Sequence, residues 1–191
     1  MPYEIPPDLA GLGLAEIAEA VAARRLPPVD EWQPEATADS GMEIRADGRW
    51  YHDGSEIRRS GMVRAFSSLL RRDEDGYWLV LPYQKQSIAV ADAPFVAVDV
   101  KQDRAGQDGE DGAPVLTFCL NTDEFVTADA DHPITARGDA DTPALYVRVR
   151  GGLEARLDRS TYAQLAEIAI ARDSDALAVE SKGAVFPLVP R

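Results

Sequence analysis

Hydrophobic and polar positions alternate along the chain in two registers. Leu14, Ile17, Ala18 and Val21 recur at the i, i+3, i+4, i+7 spacing of one helix face. That helix should stop at Arg25, because Leu26 precedes the Pro27-Pro28 pair. Residues 42–45 and 49–52 are short β-prone runs punctuated by Ala46-Asp47-Gly48 and Asp53-Gly54, which predicts a hairpin. Ser60 is a candidate cap for a helix whose apolar stripe is Met62, Val63, Phe66, Leu69 and Leu70, ended by the Asp73-Glu-Asp-Gly76 turn. Residues 77–81, 87–90, 95–100 and 114–120 read as strands, with the acidic, Gly-rich residues 101–112 as a hairpin loop. Strands at 144–150 and 153–157 follow, then a helix from Asp158 with Tyr162, Leu165, Ala166 and Ala169 inward, then apolar runs at 176–179 and 184–188. The pattern predicts an α+β fold with an N-terminal arm over residues 1–40, a first α+β unit over 41–84 and a second over 85–191.

Two segments look like copies. Gly54-Ser-Glu56-Ile-Arg58-Arg-Ser60 and Gly152-Leu-Glu154-Ala-Arg156-Leu-Asp158 share Gly, Glu and Arg at equal offsets, and each runs from strands into an amphipathic helix. A duplicated strand-strand-helix core with a groove between its halves is the expectation. Each Arg lies two residues ahead of a helix start, where free N–H groups and the helix dipole favour an anion. Alternatively, Glu56 and Glu154 neutralise these arginines as surface ion pairs.

Charge refines this picture. The 191 residues carry a net charge of −13, yet much of the acidity falls in residues 99–142, where eleven acids face three bases. Residues 45–72 hold seven bases against three acids, and residues 148–159 hold four arginines against two acids. Such a chain repels nucleic acid at long range but can hold one small anion. The excess of Arg over Lys is read as codon bias. The first ten residues carry two acids and no base, and no apolar stretch is long enough to span a bilayer, so a cytoplasmic, non-membrane protein is expected. The single cysteine, Cys119, excludes an intrachain disulfide and reads as inert core.

Motifs that would announce a reaction are missing. No Walker loop, Gly-x-Ser-x-Gly elbow, His-Glu-x-x-His or Cys-x-x-Cys occurs, and Gly11-Leu-Gly13 lacks a preceding strand and the third glycine of a dinucleotide loop. His52 and His132 are the two histidines, and neither has a neighbour completing a dyad. Asp129-Ala-Asp131-His132-Pro133 reads as a solvated turn. No catalytic residue, metal ligand or cofactor is assigned.

Six segments in order carry a resemblance: DGRWYHDGSEIR (residues 47–58), VRAFSSLLRRDEDGYWLV (63–80), VADAPFVAV (90–98), DHPI (131–134), YVRVRGGLEARLDR (146–159) and KGAVF (182–186). Together they resemble the proteobacterial family catalogued as domain of unknown function 1285. The resemblance implies a duplicated α+β core, a C-terminal half loosely similar to pleckstrin-homology domains, and a site between the halves for a nucleotide-like ligand in signalling. The positions it carries toward such a groove are Trp50, His52, Arg58, Lys85, Asp92, Asn121, His132, Arg148, Arg150, Glu154 and Arg156. Where the family tends to read TPVEK, this chain has LPYQK at 81–85, so Gln84 replaces a carboxylate that could have done acid-base work. The resulting expectation is a non-enzymatic sensor of a small anionic ligand. An enzyme using His52 or His132 on a phosphorylated small molecule is the alternative, and a protein-interaction module the third reading.

Overall fold

The computed structural model describes residues 26–105, 112–172 and 176–190. The helix expected near Leu14 and the middle of the acidic loop lie outside the described residues. The described chain is mostly β, built on two six-stranded sheets.

The first sheet comprises β1 (Thr37–Ile44), β2 (Trp50–His52), β3 (Ser55–Glu56), β4 (Leu70–Asp73), β5 (Gly76–Val80) and β6 (Lys85–Val90), with helix α1 (Ser60–Ser68) between β3 and β4. The second comprises β7 (Phe95–Arg104), β8 (Pro114–Leu120), β9 (Phe125–Thr127), β10 (Ile134–Arg137), β11 (Ala144–Arg150) and β12 (Leu153–Leu157), followed by helix α2 (Arg159–Ala171) and the hairpin β13 (Ala178–Ser181) and β14 (Ala184–Pro187). Both sheets have one strand order, 3-2-1-6-5-4 in the first and 9-8-7-12-11-10 in the second. In each, two antiparallel meanders are joined by one parallel pair, β1 with β6 and β7 with β12. Because β6 pairs with both β1 and β5, the first unit ends at Val90, beyond the boundary expected at residue 84.

What repeats is this strand order and not the expected strand-strand-helix segment. By position in the sheets β3 corresponds to β9 and β12 to β6, so Gly54 and Gly152 do not lead equivalent strands. Strand β3 is a two-residue edge, whereas β12 sits centrally between β11 and β7. The helices follow non-equivalent strands.

Helix α1 is also shorter than its apolar stripe. It stops at Ser68, and Leu70, 1% exposed, begins β4, which returns through Asp73 and Gly76 into β5. The DEDG run is a hairpin turn and not a helix stop. Leu69 and Leu70 extend the helical stripe in sequence, but a sheet takes Leu70 into the core.

One apolar core draws on both units, including Ile44, Trp50, Leu70 and Leu79 from the first and Phe95, Phe118, Leu145 and Leu165 from the second. Both faces of β8 are largely buried because the β13–β14 hairpin covers one of them: Ser181 Oγ accepts from Leu116 N at 2.9 Å and donates to Ala128 O at 2.6 Å. Cys119 is half-buried there, and burial pushes its thiol up to about 11, which keeps it protonated at neutral pH. No helix among the described residues is long and apolar enough to cross a membrane.

Candidate functional site

The Asp53-Gly54 pair takes positive φ at both residues, 48° and 78°, the conformation of a two-residue hairpin that returns β2 into β3. The chain then passes Arg58 into α1. Against this corner lies the turn between β8 and β9, and Asn121 stitches the two units together: its Oδ1 accepts Val96 N at 3.0 Å, and its Nδ2 donates to Gly48 O at 3.3 Å. Gly48 has φ +80°, and a Cβ there would stand 2.7 Å from Asn121 Nδ2 and from Val96 Cγ2, so only glycine allows the approach.

Between the units is a cleft of about 240 Å³. Its cationic wall is Arg49, Arg58 and Arg64, with Ser60 marking the start of α1. That start has no side-chain cap and no acid in its first turn, since the capping position falls on Arg59 rather than the expected Ser60. The acids in the wall already face cations: Glu56 is 3.1 Å from Arg58, and Asp123 is 3.3 Å from Arg64. Arg58 is held loosely, with 83% of its side chain exposed. Trp50 forms part of the wall and is 1% exposed.

Of the eleven expected site residues, Trp50, Arg58 and Asn121 line this cleft. Arg150 stands at the same junction as a latch. It pairs with Glu124, which is only 7% exposed, donates through Nη2 to the Ser67 carbonyl near the end of α1 at 2.9 Å, and sits over the Phe95 ring. Glu124 also accepts from Thr122 Oγ1 at 3.2 Å.

Asp92, Glu154 and Arg156 fall in a separate cluster on sheet two. Asp92 accepts from Tyr146 Oη at 2.8 Å and from Arg156 Nη1 at 2.6 Å, while Arg137 makes a two-pronged contact with Glu154 and covers the Tyr146 ring. Burial, then the hydrogen bond to Asp92, raises the Tyr146 pKa above the ordinary phenol value. The surface pair expected for Arg156 is thus formed with Asp92, and Glu154 serves Arg137. Arg148, exposed on β11, faces Glu154 across the strand pair but lines neither this cleft nor the cavity at the arm.

Lys85 borders a second cavity of about 460 Å³ beneath the N-terminal arm. It lies 2.9 Å from Asp73, which also takes two contacts from Arg71, and Arg71 reaches on to the carbonyls of Val29 and Trp32. The hydrogen bond from Arg71, helped by Lys85, holds the Asp73 carboxyl below its ordinary pKa. Three cations and three acids balance in that lining, and the network ties down the arm. His132 contacts Asp129 at 3.0 Å in the expected turn, and His52 lies 3.6 Å from Asp53 on the exposed end of β2; neither lines the cleft. Among the described residues no group of three or more His, Cys, Asp or Glu is placed to hold a metal.

Sequence reasoning missed Gly48, Arg49, Ser60 as a wall residue, and Arg64. The turn Ala46-Asp47-Gly48 and the four-residue spacing of Ser60 and Arg64 on α1 were the available signals.

Comparison with known proteins agrees with the division seen in the sheets. Residues 27–93 match the family described as domain of unknown function (DUF1285), N-terminal domain, and residues 94–188 match protein of unknown function (DUF1285), C-terminal domain. A crystal structure of a DUF1285 family protein from Silicibacter pomeroyi DSS-3 is 39% identical, with a TM-score of 0.76 over 93% of this chain and 95% of that one. One from Shewanella baltica OS155 is 23% identical, with a TM-score of 0.50 over 66% of this chain and 90% of that one, and shares the fold. No functionally curated protein matches. The chain belongs to the DUF1285 family.

Proposed function

We propose that this DUF1285 family member binds a small anionic ligand in the cleft between its two units, as a sensor and without turning the ligand over. One observation carries the reading: the cleft at the junction sets three arginines against two acids, Glu56 and Asp123, an excess of positive charge beside a helix start that has no side-chain cap. Helix N–H groups and guanidinium forks both favour phosphate or carboxylate. At about 240 Å³ the cleft is smaller than the roughly 300–1,000 Å³ typical of sites that enclose a drug-sized molecule. It suits an anionic headgroup, with the remainder of a nucleotide-like ligand lying outside. Both histidines are away from the cleft, which favours binding over the acid-base alternative. A pleckstrin-homology-like docking role would draw instead on exposed apolar residues of the C-terminal unit such as Ile170 and Val185.

The test is calorimetry of the full chain against mononucleotides, sugar phosphates and dicarboxylates. Saturable binding of at least one is expected, weakened about five- to tenfold in Arg58→Ala and unchanged in Arg156→Ala, whose partner is Asp92. Equal affinity in wild type and Arg58→Ala would remove the cleft from consideration. Turnover that disappears in His52→Ala or His132→Ala would put the enzyme reading first.

A further inference from the structure

Two tryptophans of the first sheet differ in one respect. The Trp78 indole N–H donates to Asp75 Oδ1 at 2.9 Å near the surface. The Trp50 indole N–H is buried and has no hydrogen-bond partner among the described residues, while its ring stacks on Phe66 with centroids 6.3 Å apart. Buried donors left unpaired are rare in folded proteins, and each one calls for an explanation. Apolar packing against Phe66 does not require an N–H, because a phenyl ring stacks without placing a donor in the core.

An indole N–H donates and does not accept, so the missing partner is an acceptor. Trp50 is part of the cleft wall, together with Arg58 and Ser60 at the open start of α1. The wall as a whole sets Arg49, Arg58 and Arg64 against Glu56 and Asp123, and this excess of positive charge beside the helix start points to an oxyanion as the acceptor. We infer that the Trp50 indole N–H is the buried anchor of the cleft, donating to an oxygen of a phosphate or carboxylate group whose outer oxygens face Arg58 and the start of α1. The inference rests on the ligand-binding reading above and deepens it: one atom is assigned as the anchor, and the ligand must bring an oxyanion.

The experiment uses the full chain labelled with ¹⁵N, in which Trp32, Trp50 and Trp78 supply three indole N–H signals. The Trp50 signal is assigned by its loss in Trp50→Phe. Sodium phosphate and sodium acetate are titrated separately, at ionic strength held constant with chloride. The Trp50 signal should move downfield and saturate with one of the two anions, which identifies phosphate or carboxylate as the headgroup, while the Trp32 and Trp78 signals stay in place. By calorimetry the same anion should bind at least tenfold more weakly to Trp50→Phe. A stationary Trp50 signal alongside Arg58-dependent binding overturns the anchor and leaves the binding reading standing. An equal shift with chloride alone also overturns it. Absence of saturable, Arg58-dependent binding of either probe or of the wider ligand panel overturns both.

Discussion

At the start of α2, Asp158 Oδ1 accepts the N–H of Thr161 at 2.7 Å; at the start of α1, Arg59 offers no side-chain acceptor, and its carbonyl takes the N–H groups of Met62 and Val63 at 2.9 and 3.1 Å. The contrast continues along the two helices. Helix α2 buries Thr161, Leu165 and Ala169 and packs against β7, β12 and β13 of its own unit. Helix α1 has Ser67 as its one buried residue, and the carbonyl of that residue is satisfied by Arg150 from the other unit. Two sheets with one strand order therefore reach different degrees of self-sufficiency. The N-terminal unit borrows a cation to hold the end of its helix and leaves the beginning open onto the cleft. Orphan N–H groups at a helix start must find partners somewhere, and a ligand is one source.

The largest test of this asymmetry is Arg150→Ala. Glu124 is 7% exposed, and the substitution would strand its carboxylate while freeing the Ser67 carbonyl. Removing one partner of a buried ion pair costs about 3–5 kcal/mol. Urea unfolding should show that loss, and Glu124→Gln in the Arg150→Ala background should recover part of it by removing the stranded charge. A loss below about 1 kcal/mol would mean that solvent already reaches Glu124 and that the N-terminal unit stands without the latch.

The same asymmetry explains what could be read from the chain. Strands β5, β7, β8, β11 and β12 show in the sequence because their apolar runs are long and bounded by turns, and α2 shows because its inward residues follow one face. Strands β4, β9 and β10 are three or four residues long and hold their place through pairing with β5, β8 and β11, which local pattern does not encode. For the site, the Gly-Glu-Arg spacing at 54–58 led to a cleft residue, Arg58. The matching spacing at 152–156 led to Arg156, which Asp92 engages from 64 residues away. Glu154 is likewise claimed by Arg137, 17 residues earlier in the chain. Arg58 keeps the local pair with Glu56 that its own motif offered, whereas the partners of Arg156 and Glu154 come from distant segments, to which short sequence motifs are blind.

A middle-sized effect is expected from Asp158→Ala. Loss of an N-cap side chain costs typically about 1 kcal/mol, within a range of roughly 0.5–2. The change should lower the stability of the whole chain by that amount in urea unfolding and leave ligand affinity unaltered, because α2 starts away from the cleft lining. Altered affinity would show that the two helix starts are coupled, so that the C-terminal unit is not closed upon itself.

The smallest expected effect on stability comes from supplying α1 with the cap it lacks. Arg59 is exposed and extended, with φ −77° and ψ 107°, a backbone that an N-cap aspartate adopts without strain. In Arg59→Asp the new carboxylate can accept an N–H of the first turn and meets the positive end of the helix dipole, a gain of about 0.5–1 kcal/mol. The same carboxylate would occupy the acceptor position assigned to a ligand oxygen and place negative charge at the mouth of the cleft. Stability and binding should consequently move in opposite directions: urea unfolding shifts to slightly higher denaturant while calorimetry shows weaker anion binding. Arg59→Ala separates the two causes, since it removes the same positive charge without adding a cap, and should weaken binding less than Arg59→Asp while adding no stability. If Arg59→Asp gains stability and binds its ligand as tightly as wild type, the open start of α1 takes no part in recognition, and the difference between the two helices is one of folding alone.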